Sequence, residues 1–185
     1  MKKFVALLLA VLMVASLCAC GQKDTGSDLQ TVTKGKLIMS TNAEFAPYEY
    51  VADDGKGYEG TGYEGIDIEI AYALAQKLGL ELVVDNMDFD AALSAVQTGK
   101  SDMVAAGVTV TPDRLNAMSF TDSYANGVQV VIVKEGSDIK SIDDLQGKKI
   151  GTQRGTTGFL YCSDDFGDDN VIGFDDGATA VQNLK

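Results

Sequence analysis

Between residues 36 and 106 the chain alternates short apolar runs with segments of helical periodicity, and this alternation restricts the fold more than any other feature. Residues 36–40 read as a first strand. Ile66, Ile70, Leu74 and Leu78 then recur every four positions, which places them along one face of a helix that Asp67 caps and Gly79 ends. Residues 81–85 read as a second strand. Phe89, Leu93 and Val96 mark a second helix, opened by Asp88 or Asp90 and closed by Gly99, and residues 101–106 read as a third strand. An order of β-α-β-α-β implies a parallel sheet with right-handed crossovers. Ligands of such sheets sit beyond the carboxyl ends of the strands. Two loops are thereby singled out, 41–50 after the first strand and 105–114 after the third.

A second α/β unit follows. An apolar run begins at Gly127 (GVQVVIVKEG), residues 141–145 form a capped helical turn, and residues 148–151 and 170–174 read as strands. RGTTG (154–158) opens a helix between those two strands, and Asp175 or Asp176 caps a last helix running to Lys185. Three strands and a terminal helix make an incomplete sheet, so the expectation is a second lobe that stops early. The duplicated Tyr-Glu-Gly of GYEGTGYEG (57–65) reads as a lengthened, solvated loop.

Composition excludes several functions. A net charge of -12 argues against a nucleic-acid-binding face. With 0 His, a histidine-dependent triad or a histidine-ligated metal site is ruled out, and no cofactor or metal is expected. The acidic run SDDFGDDN (163–170) lacks the alternating ligands, central Gly and closing Glu of a calcium loop. At the N-terminus, Lys2 and Lys3 precede an apolar run over 4–19 broken only by Ser16, the pattern of a secretory signal. That run ends in LCACG (17–21), which resembles the bacterial lipobox and implies lipidation at Cys20, with palmitate among the acyl chains. Residues 1–19 would then be signal and 20–34 a polar tether. Cys162 remains unpaired in the mature chain and reads as a packing residue.

Three features bear on binding. In AAGVTVTPDR (105–114), Thr111 caps and Pro112 begins a short helix that carries Arg114 at its third position. A cation is unfavourable there beside the positive end of the helix dipole. Either a bound anion answers it, or Asp113 and Asp122 shield it. RGTTG lacks both the Walker and the GxGxxG spacing, yet Thr156 and Thr157 offer hydroxyls and free N–H groups suited either to a carboxylate or to simple capping. Phe45 and Tyr48 flank Pro47 as core plugs or as a ligand wall.

The chain from about Gly35 to Lys185 resembles the family 3 bacterial solute-binding proteins, the lipoprotein receptors of polar amino acid ABC importers. GIDIEIAYALAQKLG (65–79) carries the family's apolar and acidic helix opening. FAPYEY (45–50), AVQTGKSDMVAAGVTVTPDR (95–114), FTDSY (120–124), DLQGKKIGTQRGTTG (144–158) and AVQNLK (180–185) follow in order. The resemblance implies a periplasmic-binding-protein-like fold of type II, with lobe 1 at 35–126 and a hinge and partial lobe 2 at 127–185. It implies a monomer that binds an amino acid and docks on ABC permease subunits, held at the membrane by its lipid. By the same resemblance Arg114 pairs with the ligand's α-carboxylate, Gly107 and Thr109 add contacts, Thr156 and Thr157 approach from lobe 2, and Phe45 and Tyr48 pack on the side chain. Asn42 stands where relatives that bind cationic side chains carry an acid. The aspartate that holds the ligand's ammonium would fall after residue 185, so weak binding is expected of the chain as given. A dehydratase-like enzyme on the same fold and a ligand-sensing module are the rival classes.

Overall fold

Strand β1 (Lys36–Thr41) lies at the centre of a parallel sheet and has both faces covered, which explains its near-continuous burial. Met39, Ser40 and Thr41 are all fully buried. The computed structural model describes residues 29–184, so the signal, the lipobox cysteine and Lys185 lie outside the described residues. On one side β1 pairs with β5 (Glu81–Asn86), from Lys36 opposite Glu81 to Thr41 opposite Asn86. On the other it pairs with β6 (Met103–Val104), Met39 opposite Met103.

Between β1 and the first helix stands a small antiparallel sheet that the alternation did not reveal. It comprises β2 (Glu44–Phe45), β3 (Glu49–Val51) and β4 (Tyr63–Glu64), with β3 in the middle. These strands of two or three residues fall below the length at which a period of two can be read.

Helix α1 (Ile66–Leu78) corrects two expectations. Its N-cap is Gly65, not Asp67, and the N–H groups of Ile66 and Asp67 donate to the carbonyls of Pro47 (3.2 Å) and Tyr48 (2.9 Å). Backbone from the β2–β3 turn thus replaces a capping side chain. Gly65 has a φ of 120°, and a Cβ there would fall 2.2 Å from the Tyr48 carbonyl oxygen, so no larger residue fits this approach. The buried face is also displaced. Ile68, Ala71 and Ala75 are buried, whereas Ile66, Ile70 and Leu74 are 39–44% exposed. Two alanines let the helix lie close on the sheet, and a search for large side chains overlooks them.

Helix α2 (Phe89–Gln97) is capped at Asp88 and covers the opposite face of the sheet. Met39, Ile68, Ala71 and Ala105 form the core on the α1 side, and Phe89, Leu93 and Ala106 form it on the α2 side. Strand β6 is shorter than the expected 101–106: beyond it the Asp102 and Ala105 N–H groups still donate to the Ile38 and Ser40 carbonyls, but side chains supply the rest of the pairing. The Asp102 carboxylate accepts from Ile38 N–H (2.8 Å), and the Thr41 hydroxyl donates to the Ala105 carbonyl (2.7 Å).

Helix α3 (Pro112–Ala117) starts as expected, with the Thr111 hydroxyl accepting from Arg114 N–H at 3.3 Å. The apolar run from Gly127 forms no strand; Val128 is 85% exposed and Val130 75%. Among the described residues no neighbouring strand offers it a ladder, and an extended segment without one gains no regular pairing. The second sheet therefore holds two parallel strands, β7 (Ile150–Gln153) and β8 (Val171–Phe174), not three. A capping box of Ser141 and Asp144 closes the turn at Ile142–Leu145. Helix α4 (Thr157–Phe166) follows β7, and α5 (Gly177–Gln182), capped by Asp176, follows β8.

Candidate ligand-binding site

The carboxyl ends of β1 and β6 face the carboxyl end of β7, with Asn42 bonded to Gln153 and Arg114 to Gly155 across the junction. Arg114 is buried, with 9% exposure. One Nη1–H donates to the Thr109 carbonyl at 2.8 Å, and one Nη2–H donates to the Gly155 carbonyl at 3.0 Å. Its guanidinium carbon stands 5.7 Å from the centre of the Phe89 ring, within cation–π range. The two ion pairs among the described residues, Lys36–Glu81 and Arg154–Asp175, leave Arg114 out. Shielding by Asp113 or Asp122 is therefore not what holds this cation. Burial lowers its pKa from the ordinary arginine value, with the proximity of Tyr161 opposing, yet a guanidinium stays charged in proteins. Two carbonyls occupy two of its five N–H donors. The group is desolvated and has no counter-charge among the described side chains, a costly arrangement for a buried cation.

Around it stand the other expected residues. Thr156 is the N-cap of α4: its hydroxyl accepts from Phe159 N–H (3.2 Å) and donates to the Gln153 carbonyl (2.8 Å). Capping thus uses that hydroxyl in both directions. Thr157, one position on, is 4% exposed and accepts from the Gln129 amide at 3.1 Å. The first-turn N–H groups of α4 at Thr157 and Gly158 have no place in the intrahelical ladder and remain donors. Asn42 donates to the Met87 carbonyl (3.0 Å) and accepts from the Gln153 amide (2.8 Å). This bond joins the ends of β1 and β7.

Phe45, 53% exposed, stacks on Tyr48 with ring centres 5.4 Å apart and 13° between planes. Its edge also rests on Gly107, where φ is 55° and a Cβ would fall 3.1 Å from the Phe45 ring. The aromatic pair is therefore a wall at the sheet edge and not a core plug. Gly107 N–H donates to the Asp67 carboxylate at 3.2 Å, which leaves its carbonyl for other partners. Thr109 contributes through its carbonyl to Arg114. The structure adds Phe89, Gly155 and Gln153 to this set. Phe89 was legible only as a core residue, because its apolar spacing says nothing of the guanidinium over its face.

An α/β frame of two parallel sheets whose strand ends meet at a buried arginine, without an acidic partner among the described residues, is the architecture of a periplasmic-type binding protein. Residues 37–183 match the bacterial extracellular solute-binding proteins, family 3, and the chain belongs to that family. It is 38% identical over 156 residues to the arginine-binding extracellular protein ArtP of Bacillus subtilis (strain 168), covering 84% of this chain and 57% of that protein. It is 36% identical over 172 residues to a probable histidine-binding protein of Neisseria gonorrhoeae, covering 92% of this chain and 62% of the relative. An arginine-bound ArgBP variant from T. maritima superposes with a TM-score of 0.73 at 33% identity, covering 81% of this chain and 68% of the other. The fold is thus of the type II periplasmic-binding-protein class. The chain spans about three fifths of the length of the two relatives, 57% and 62%.

Proposed function

We propose that this protein is an extracytoplasmic receptor for an amino acid, delivering its ligand to the permease subunits of an ABC importer from a lipid tether at Cys20. The observation that carries this reading is Arg114, a buried guanidinium without an acidic partner among the described residues, set where the two sheets meet. An α-carboxylate would take its remaining donors in a bidentate pair, with the Thr157 hydroxyl and the α4 N-terminus completing the cradle. Phe45 and Tyr48 would wall the ligand side chain. In this reading the two sheets belong to lobes that close on the ligand, with the division at about residue 126, and the receptor acts as a monomer. Binding without chemistry is the favoured activity, since the relatives are named for what they bind.

Relatives named for arginine and histidine place cationic amino acids first among the ligands to test. Asn42, tied to Gln153, puts a neutral amide such as glutamine beside them. Titration calorimetry of the chain with L-arginine, L-lysine, L-histidine, L-glutamine and L-cystine tests the reading. Weak but saturable heat for at least one, abolished in Arg114→Gln, is expected. Heat that survives Arg114→Gln unchanged would place the anion elsewhere.

A further inference from the structure

A second buried cluster lies next to this cleft, and it holds acids without a cation. Asp67, at 0% exposure, accepts from Gly107 N–H at 3.2 Å through Oδ2 and from the Tyr124 hydroxyl at 2.8 Å through Oδ1. Glu49 on β3 is 1% exposed and lies near Asp67, whose N–H donates to the carbonyl of Tyr48, the residue before Glu49, at 2.9 Å. Among the described residues Glu49 Oε2 has no hydrogen-bond partner. A buried ionised oxygen needs a donor, and among the described residues no N–H or O–H group reaches this one, whereas a protonated Glu49 carboxyl needs an acceptor, which the neighbouring Asp67 offers. We propose that Glu49 is a positioning residue for the ligand cleft: it keeps a proton between itself and Asp67, so that one carboxylate holds Gly107 on the ligand side and Tyr124 on the segment leading out of the first sheet.

The surroundings agree. Burial and the neighbouring Asp67 raise the Glu49 carboxyl from its usual range to about 10, and burial together with Asp67 raises the Tyr124 hydroxyl. Facing the pair are Tyr124 and, beyond it, Tyr48 from the turn before β3. Glu64 on β4, Glu69 on α1 and Asp53 act instead on Tyr50, the neighbouring residue of β3, which points to the opposite face. Gly107 carries the Phe45 ring, so a shift of its peptide moves the aromatic wall; Tyr124 belongs to the segment that continues to Gln129 and through it to Thr157. Loss of the proton would set two carboxylates against each other and loosen both tethers at once.

This proposal rests on the amino acid reading only for its effect on affinity, and the experiment separates the two. In the full chain, difference infrared spectroscopy at neutral pH between wild type and Glu49→Gln should reveal the carbonyl stretch of a protonated carboxylic acid. In amide NMR spectra the Gly107 resonance of wild type should move as pH rises toward 10, and that of Glu49→Gln should stay fixed. Glu49→Gln keeps a donor to Asp67 and should retain L-arginine affinity, whereas Glu49→Leu should lose roughly 10-fold, about 1.4 kcal/mol. If no amino acid binds even wild type, the receptor reading fails while the infrared band and the Gly107 resonance still decide the role of Glu49. Absence of the band, or a Gly107 amide indifferent to both substitutions, would overturn the proposal.

Discussion

Two buried charge clusters, one on each side of the Gly107 loop, are stabilised by opposite strategies. Arg114 is a cation whose described partners are two carbonyls and an aromatic face; Glu49 and Asp67 are acids whose partners are a peptide N–H, a phenol and each other. An arginine cannot shed its charge at accessible pH, so only an incoming anion can answer it. A glutamic acid can become neutral by keeping a proton, so its cluster needs no ligand. On the proposed reading, permanent charge marks the binding group and adjustable charge the support.

The largest predicted effect separates the clusters by affinity. Arg114→Ala should weaken amino acid binding about 100-fold or more, near 3 kcal/mol, because it removes a desolvated bidentate partner. Arg114→Lys should recover only part of this, as a point charge cannot reproduce the planar fork. Calorimetry with the best ligand of the panel checks both, and full affinity in either variant would remove Arg114 from the site.

On the acid side the expected loss falls on stability. Asp67→Ala removes the acceptor of the Gly107 N–H and of the Tyr124 hydroxyl, both on residues that water reaches, and should cost roughly 1–2 kcal/mol in urea unfolding. Glu49 then supplies a pH dependence with a definite sign. Its folded pKa of about 10 lies above the ordinary 4.5 of the unfolded chain, so the folded state binds the extra proton between those values. Its contribution is complete below the ordinary glutamate pKa and declines as pH rises toward about 10. The decline should not exceed about 1.4 kcal/mol per pH unit. Urea unfolding at about pH 5, 7 and 9 should show stability falling with pH in wild type and a flatter profile in Glu49→Gln. Equal slopes in the two proteins would mean that Glu49 ionises normally.

The sequence exposed the cation more readily than the acids, for a physical reason. Thr111, Pro112 and Arg114 are read by local rules of capping and dipole, which involve neighbours within one turn. The parallel sheet was legible for the same reason, since its helices carry their own periodicity and stops at Gly79 and Gly99. Asp67 was read by the local rule too, as a cap, and that rule failed because carbonyls of Pro47 and Tyr48 took the helix N–H groups first. Only the fold brings Glu49, Asp67 and Tyr124 together across 75 residues of sequence. The buried face of α1 was missed because Ile68, Ala71 and Ala75, not Ile66, Ile70 and Leu74, meet the sheet. The apolar run after Gly127 read as a strand because composition fixes strand propensity and cannot supply a pairing partner.

The finest distinction concerns two adjacent hydroxyls at the start of α4. The Thr156 hydroxyl is engaged both as acceptor and as donor within its own turn, so Thr156→Ala should cost about 1 kcal/mol of stability, as a lost N-cap does. It should leave ligand affinity unchanged. Thr157 accepts from Gln129, an exposed residue whose amide can turn to water, so Thr157→Val should change stability by no more than about 0.5 kcal/mol. If the Thr157 hydroxyl reaches the ligand carboxylate, the same substitution should lower affinity about 5-fold, close to 1 kcal/mol. Melting curves and calorimetry on the two variants therefore cross: stability falls in one, affinity in the other. A fall in affinity for Thr156→Ala alone would reverse the roles of cap and contact, and would move the carboxylate one residue toward Gly155.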